Sequence, residues 1–256
     1  MSRYTILGVR FEALSECEAD SRLSNALRGQ RSITVFTPNA LMLYKSSKDA
    51  RLVSLLNRAD LLLPDGVGIS LACKLTKKPR VERITGIDTA WRLLGEAERT
   101  GASVFLLGGK AGVASAAARR IKKSFPRLNI CGTQHGYFDK SPSSAESKAV
   151  LKGIRRASPD ILFVCLGFPT QEAWIMRNKK HLPTVKIFMG LGGSLDVWSG
   201  KVKRAPIFVQ EMGLEWLWRC VKEPKRIKDA LSLPCFLIEV KKEKLSKNRT
   251  APPFKV

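Results

Sequence analysis

"ADLLLPDGVGIS", residues 59–70, decides how the chain is read. A short run, apolar almost throughout, reads as a strand buried on both faces, and Pro64, Asp65 and Gly66 end it in a turn before a small-residue helix start. Pro64 favours an extended approach and Gly66 lets the backbone turn sharply. Asp65 therefore sits where a strand delivers a carboxylate to a loop. It either caps the helix from about Val67 onward or serves as a general base in a cleft.

The same texture recurs along the chain. "SITVF" (32–36), "SVFLL" (103–107), "LNICG" (128–132), "DILFVCLG" (160–167) and "VKIFMG" (185–190) are apolar runs of strand length. Between them, "AGVASAAARRIKKSFP" (111–126) and "SAESKAVLKGIRRASP" (144–159) segregate apolar and basic positions at helical spacing. Alternation of this kind predicts an α/β, Rossmann-like fold with a mainly parallel sheet and helices on both faces. In such sheets ligands bind beyond the carboxyl ends of the strands, so the "TPN", "PDG", "LGGK" and "LGFPTQE" exits are the expected chemical positions.

From about residue 196 the chain becomes helical, aromatic and basic, with Pro206, Pro224 and Pro234 as punctuation. The expected division is a catalytic α/β domain over 1–195 and a basic helical C-terminal appendage over 196–256. Arg219, Lys222, Lys225, Arg226 and Lys228 stand beside Trp216 and Trp218, a composition suited to an anionic lipid surface. Apolar residues such as Ile207, Phe208 and Leu217 would need cover when the appendage is undocked, so homo-oligomers are expected.

Charge sets the class of partner. The 256 residues hold 45 Lys plus Arg against 22 Asp plus Glu, a formal net charge of +23, which calls for an anion: nucleic acid, an acidic membrane face or a phosphate-bearing substrate. Six cysteines without a CxxC pair suggest neither a zinc site nor a disulfide framework and fit a reducing cytoplasm. No apolar run approaches the roughly 20 residues of a spanning helix, so membrane contact is expected to be peripheral.

Several motifs narrow the chemistry. Gly108, Gly109 and Gly112 lie between a strand and a helix and can offer backbone N–H groups to a phosphate, although the stretch is neither GxGxxG nor a Walker A motif. The ribose-binding acid of a dinucleotide enzyme is missing, since "RRIKKSFPR" (119–127) occupies its place. There is no Asp-x-Asp pair to hold a divalent cation on a nucleotide diphosphate, so Arg, Lys and helix N-termini must take a leaving diphosphate's charge. Only His135 and His181 are present, and His135, in "HGYFD", reads as a loop or packing residue. A non-catalytic, basic α/β nucleic-acid-binding protein is the alternative from a different class.

Taken together, "TPNALML" (37–43), "ADLLLPDGVGI" (59–69), "RITGID" (83–88), "FLLGGKAGVA" (105–114), "HGYF" (135–138), "LGFPTQEAW" (166–174), "GLGGSLDVWSGKVKRAP" (190–206) and "GLEWLWRCVKEPKRIK" (213–228) closely resemble the WecG/TagA/CpsF family of bacterial glycosyltransferases. Their order covers nearly the whole chain after about residue 30. The resemblance implies an inverting, metal-independent enzyme without a cofactor. It would move ManNAc, its uronic acid or a related hexosamine from a UDP donor to undecaprenyl-diphosphate-linked GlcNAc. The setting it implies is the inner face of the cell membrane, in teichoic acid or other surface polysaccharide synthesis, with no nucleic acid involved. By residue match it implies Asp65 as general base, Thr37 and Arg83 as active-site groups, and Asn39 and Gln171 as substrate-binding positions. Gly108, Gly109 and Asp196 join them as substrate-binding candidates; Asp196 either faces the site or caps a helix. The appendage is expected to supply Arg219 and Arg226 to the diphosphate, with Asp229 standing where many relatives carry a base.

Overall fold

The computed structural model describes residues 2–78, 82–222 and 232–250. Its centre is a six-stranded sheet in which every recorded pairing is parallel: β3 (Ile33–Phe36), β4 (Leu61–Leu62), β5 (Ser103–Gly108), β6 (Asn129–Gln134), β7 (Ile161–Cys165) and β8 (Ile187–Gly190), in the order β4-β3-β8-β7-β5-β6. All six follow the apolar runs of the sequence. A two-stranded antiparallel hairpin, β1 (Arg3–Ile6) and β2 (Val9–Glu12), precedes the sheet and was not anticipated. Its signal is present: Tyr4, Ile6, Val9 and Phe11 alternate around a Leu7-Gly8 turn in which both residues take positive φ.

Successive side chains of each strand feed opposite cores. Val104 and Leu106 of β5, Phe163 of β7 and Met189 of β8 enter one cluster with helices α1 (Glu16–Arg28), α5 (Gly86–Thr100), α6 (Val113–Ser124) and α9 (Ser194–Trp198). Phe105, Val164 and Phe188 enter the other, with α2 (Ala40–Ser46), α3 (Ala50–Leu56), α4 (Val67–Leu75), α7 (Ala145–Ala157) and α8 (Thr170–Asn178). Helices therefore cover both faces, as expected for strands that are apolar on both sides. Each fully buried aromatic, such as Phe36, Phe163 or Phe188, stabilises this arrangement by about 2 kcal/mol.

Two acids at strand entries hold neighbours in register. Asp60, just before β4, accepts the Thr34 N–H at 2.9 Å, and Asp160, just before β7, accepts the Ser103 N–H at 2.9 Å. In the opening stretch, then, Asp60 fastens the start of the sheet while Asp65 lies at its other end.

Beyond residue 196 lie α10 (Ile207–Glu211), α11 (Glu215–Lys222) and α12 (Ser232–Thr250). Helix α9 straddles residues 195 and 196, with Leu195 and Trp198 buried in the core. Helix α12 packs against α2 and α4, burying Phe236 and Val240 completely. Glu243 on α12 accepts the Leu7 N–H at 3.1 Å, which ties the helix back to the β1–β2 turn.

Candidate active site

The strand order creates the site. The chain leaves β3 and β7 toward α2 and α8 on one face, but leaves β8, which lies between them, toward α9 on the other. Connections that part to opposite faces open a crevice at the carboxyl ends. A cleft of about 1300 Å³ lies there, and Thr37, Asn39, Asp65, Arg83, Gly109, Gln171 and Asp196 all line it.

Asp65 is not the N-cap residue of α4, the helix that follows it: that residue is Gly66, at φ 84°, which makes no side-chain cap. Asp65 Oδ2 accepts the N–H of Gly86, the first residue of α5, at 3.4 Å. The carboxylate is thus held at the N-terminus of a neighbouring helix, an arrangement that favours its negative charge. Its own N–H bonds the Pro38 carbonyl at 3.1 Å, fixing the loop beside Thr37 and Asn39.

Close packing carries the geometry from Asp65 to Gln171. A Cβ on Gly86 would lie 2.8 Å from Thr37 Cγ2, so only glycine leaves room for Thr37 there. Thr37 Oγ1 then donates to the Gly190 carbonyl at 3.3 Å, and a Cβ on Gly190 would lie 3.0 Å from Gln171 Nε2. The Gln171 amide is held at both ends: Oε1 accepts the Gly192 N–H at 2.9 Å, and Nε2 donates to Glu172 Oε1 at 2.8 Å. Asn39 uses Oδ1 to cap α2, accepting the Met42 N–H at 3.1 Å.

The other candidates divide. Gly108 is buried at the end of β5, where a Cβ would overlap the Cys165 carbonyl at 2.2 Å; it allows two strands to approach and does not line the cleft. Gly109 does line it, and its carbonyl accepts the Gly136 N–H at 2.8 Å. Asp196 is not the cap of α9, which is Gly193; it lines the cleft and pairs with Lys201 at 3.6 Å. His135 accepts the Tyr137 N–H through Nδ1 at 3.3 Å, the loop role expected of it. Arg219 lies on α11, but its side chain, together with Arg226 and Asp229, falls outside the described residues.

Arg83 is committed on the appendage side. Its Nη1 donates to the Gln210 carbonyl at 2.6 Å and its Nη2 lies 3.8 Å from Glu215 Oε2. Glu215 also accepts from Arg204 Nε at 3.1 Å, and Arg204 closes a fork on Asp88 at 2.5 and 2.7 Å. Burial pushes the Asp88 carboxyl up, but hydrogen bonds from Arg204 and Thr85 outweigh it and hold the group below the ordinary carboxylate range. This Arg83–Glu215–Arg204–Asp88 network joins α11 to the first turn of α5. Sequence reasoning missed Arg204 and Glu172. The "KVKRAP" stretch places a base near the site but gives no sign of its partner 116 residues away.

Charge in the cleft is mixed, with excess base. Lys45, Arg83, Lys110, Lys140 and Lys201 face Asp65, Asp196 and Glu215, an arrangement that suits a diphosphate. Among the described residues no group of three or more His, Cys, Asp or Glu side chains could hold a metal ion. The model for the "Glycosyl transferase WecG/TagA/CpsF family" matches residues 4–250.

The chain belongs to the WecG/TagA/CpsF family.

It is accordingly a glycosyltransferase. It is similar to the N-acetylglucosaminyldiphosphoundecaprenol N-acetyl-beta-D-mannosaminyltransferase of Bacillus subtilis (strain 168), with 36% identity over 218 residues, 85% of this chain and 82% of that one. The enzyme of the same name from Staphylococcus aureus (strain MRSA252) is 31% identical over 245 residues, 95% of this chain and 94% of its own. The WecG/TagA/CpsF match begins at residue 4, within the β1–β2 hairpin, and so reaches further toward the start of the chain than the motifs alone.

Proposed function

We propose that this glycosyltransferase moves N-acetylmannosamine, its uronic acid or a related hexosamine from a UDP donor to undecaprenyl-diphosphate-linked GlcNAc, in the synthesis of a cell-surface polymer. The observation that carries the reading is that Asp65 and Arg83 line one cleft at the carboxyl ends of the strands, among an excess of lysines. Asp65 takes the proton of an acceptor GlcNAc hydroxyl, O4 by family resemblance. That oxygen bonds to the sugar's anomeric carbon while the bond to UDP breaks, and the electron pair leaves with the diphosphate. A single displacement of this kind inverts the anomeric centre and needs one base and a cationic environment for the leaving group. Arg83 and the cleft lysines, with Arg219 and Arg226 of the appendage, serve that second need without a metal ion or cofactor.

The appendage over 196–256 is the membrane-facing part of the proposal. Ile207 and Phe208 of α10 are 73% and 63% exposed, and Met212 and Leu217 lie exposed nearby. No helix among the described residues is long and apolar enough to cross a membrane. Apolar side chains beside a basic helix support peripheral attachment to the anionic inner face of the cell membrane, where the lipid-linked acceptor would lie. Away from a bilayer, a second copy of the chain would cover the same side chains.

The test is direct. Full-length protein incubated with UDP-ManNAc and a short-chain GlcNAc-diphosphate-lipid should yield a disaccharide-lipid and UDP, with chelator present. Absence of transfer from every UDP-hexosamine and UDP-hexosaminuronate tried would overturn the reading. Salt-sensitive RNA binding without a thermal shift from UDP would favour the nucleic-acid alternative.

A further inference from the structure

Glu172 is fully buried in the first turn of α8, one residue beyond Gln171. Its Oε1 accepts the Gln171 Nε2–H at 2.8 Å, while its Oε2 is buried without a hydrogen-bond partner. No ion pair to it occurs among the described residues. An uncompensated buried carboxyl is costly, and the same volume filled by an apolar side chain would ordinarily be at least as stable. A group kept at such a cost beside a cleft residue calls for a role other than packing.

The role is visible in what Glu172 does to its neighbour. A glutamine amide can present either its oxygen or its nitrogen to a given side, and the two orientations differ little in shape. Here Glu172, an acceptor on that side, selects the nitrogen, and the Gly192 N–H selects the oxygen. One Nε2 proton is consumed by Glu172; the other is left to donate. Gly190, which lacks a Cβ, leaves room for that nitrogen beside the Thr37–Gly190 contact.

We propose that Glu172 is a positioning residue for transfer, fixing the Gln171 amide so that its second N–H is presented to substrate in the cleft. This rests on the reading above that Gln171 binds substrate. Burial pushes the Glu172 carboxyl up to about 7, with the Gln171 hydrogen bond opposing, and in both protonation states Oε1 remains able to accept the N–H.

Two measurements on the full chain test it, one of them independent of activity. The chain has four glutamines, so selective 15N-glutamine labelling resolves the side-chain amide of Gln171 by NMR. In the native protein its two protons should be widely separated in shift, one exchanging slowly with solvent; in Glu172→Met that separation should collapse. Transfer from UDP-ManNAc is then followed in Glu172→Met, Gln171→Ala and the double variant. Glu172→Met should lose about tenfold in kcat/KM, an orienting hydrogen bond's worth, while its Tm stays level or rises. In the Gln171→Ala background the same change should cost nothing further. Glu172→Gln, which keeps an acceptor, should retain most activity. An unchanged Gln171 amide signal, additive losses, or a fall in activity matched by a fall in Tm would each overturn the inference. If Gln171→Ala alone transfers normally, the binding role of Gln171 fails along with it. If the unsubstituted protein transfers nothing, the substrate reading fails, and the NMR comparison still decides whether Glu172 sets the amide.

Discussion

Asp65 Oδ2 lies 3.4 Å from the amide nitrogen of Gly86, so the carboxylate at the end of β4 meets the N-terminus of α5, a helix beyond the one that directly follows it. The two residues are 21 positions apart. The contact aims the carboxylate into the cleft while the N–H orients it.

Asp65→Asn keeps the shape and an acceptor for Gly86 but removes the base. Transfer should fall by about 10²-fold or more, with UDP-sugar affinity by calorimetry unchanged. Near-normal turnover would remove Asp65 from the mechanism.

Gly190→Ala places a methyl 3.0 Å from Gln171 Nε2. Stability should fall by only about 1–2 kcal/mol in denaturant unfolding. Displacement of the amide should cost about tenfold or more in kcat/KM.

Arg204→Met takes the guanidinium fork from Asp88 and leaves Glu215 with Arg83 alone. The expected loss is about 2 kcal/mol, below that of a fully buried pair because Arg204 is 25% exposed. Adding Asp88→Asn should recover part of it, and chemical denaturation of the three variants measures the recovery.

Glu172 makes stability depend on pH in a stated direction. Its folded pKa of about 7 lies above the ordinary 4.5, so the folded state holds the proton more tightly than the unfolded one. The resulting stability is complete below about 4.5 and is lost as the pH rises through 7. Glu172→Gln cannot ionise, so its stability relative to the parent should rise between pH 5 and pH 8 by up to about 3 kcal/mol, whatever constant offset the amide brings. Urea unfolding at the two pH values gives the difference, and a flat result excludes a buried ionising carboxyl.

Ile207→Ser and Phe208→Ser remove apolar surface that is already in solvent. Each should weaken binding to vesicles containing anionic lipid by about tenfold, with Tm unchanged, since burying such a side chain stabilises by about 1.5–3 kcal/mol. Vesicle sedimentation that matches the parent protein would detach α10 from the membrane reading.

Much of the site was legible from the chain because its signals are local. Apolar runs such as "SVFLL" and "DILFVCLG" show their burial on both faces by composition alone, and Pro64-Asp65-Gly66 or Gly108-Gly109 show a strand ending. Those signals, with the family motifs, led to Thr37, Asn39, Asp65, Arg83, Gly109, Gln171 and Asp196, which the fold brings to one cleft. Gly108 marks the limit of such signals: a glycine-rich turn looks alike whether the glycine lines a cleft or packs on a neighbouring strand, and only the approach of Cys165 shows which.

The sequence by itself determined the succession of βα units, the two-sided burial of the strands, and the strand ends at which polar residues gather, since period and turn chemistry act over a few residues. Tertiary structure decided the rest. Placing β8 between β3 and β7 sets Gly190 against Thr37 across 153 positions, and the path of the chain between α9 and α10 sets Arg204 on Asp88 across 116. It also decided that Asp65 serves α5 and that Glu172 lies buried with one oxygen unpartnered. Contacts of such separation depend on which strands become neighbours, a choice made by the packing of the whole sheet that leaves no periodic trace in either partner's local sequence.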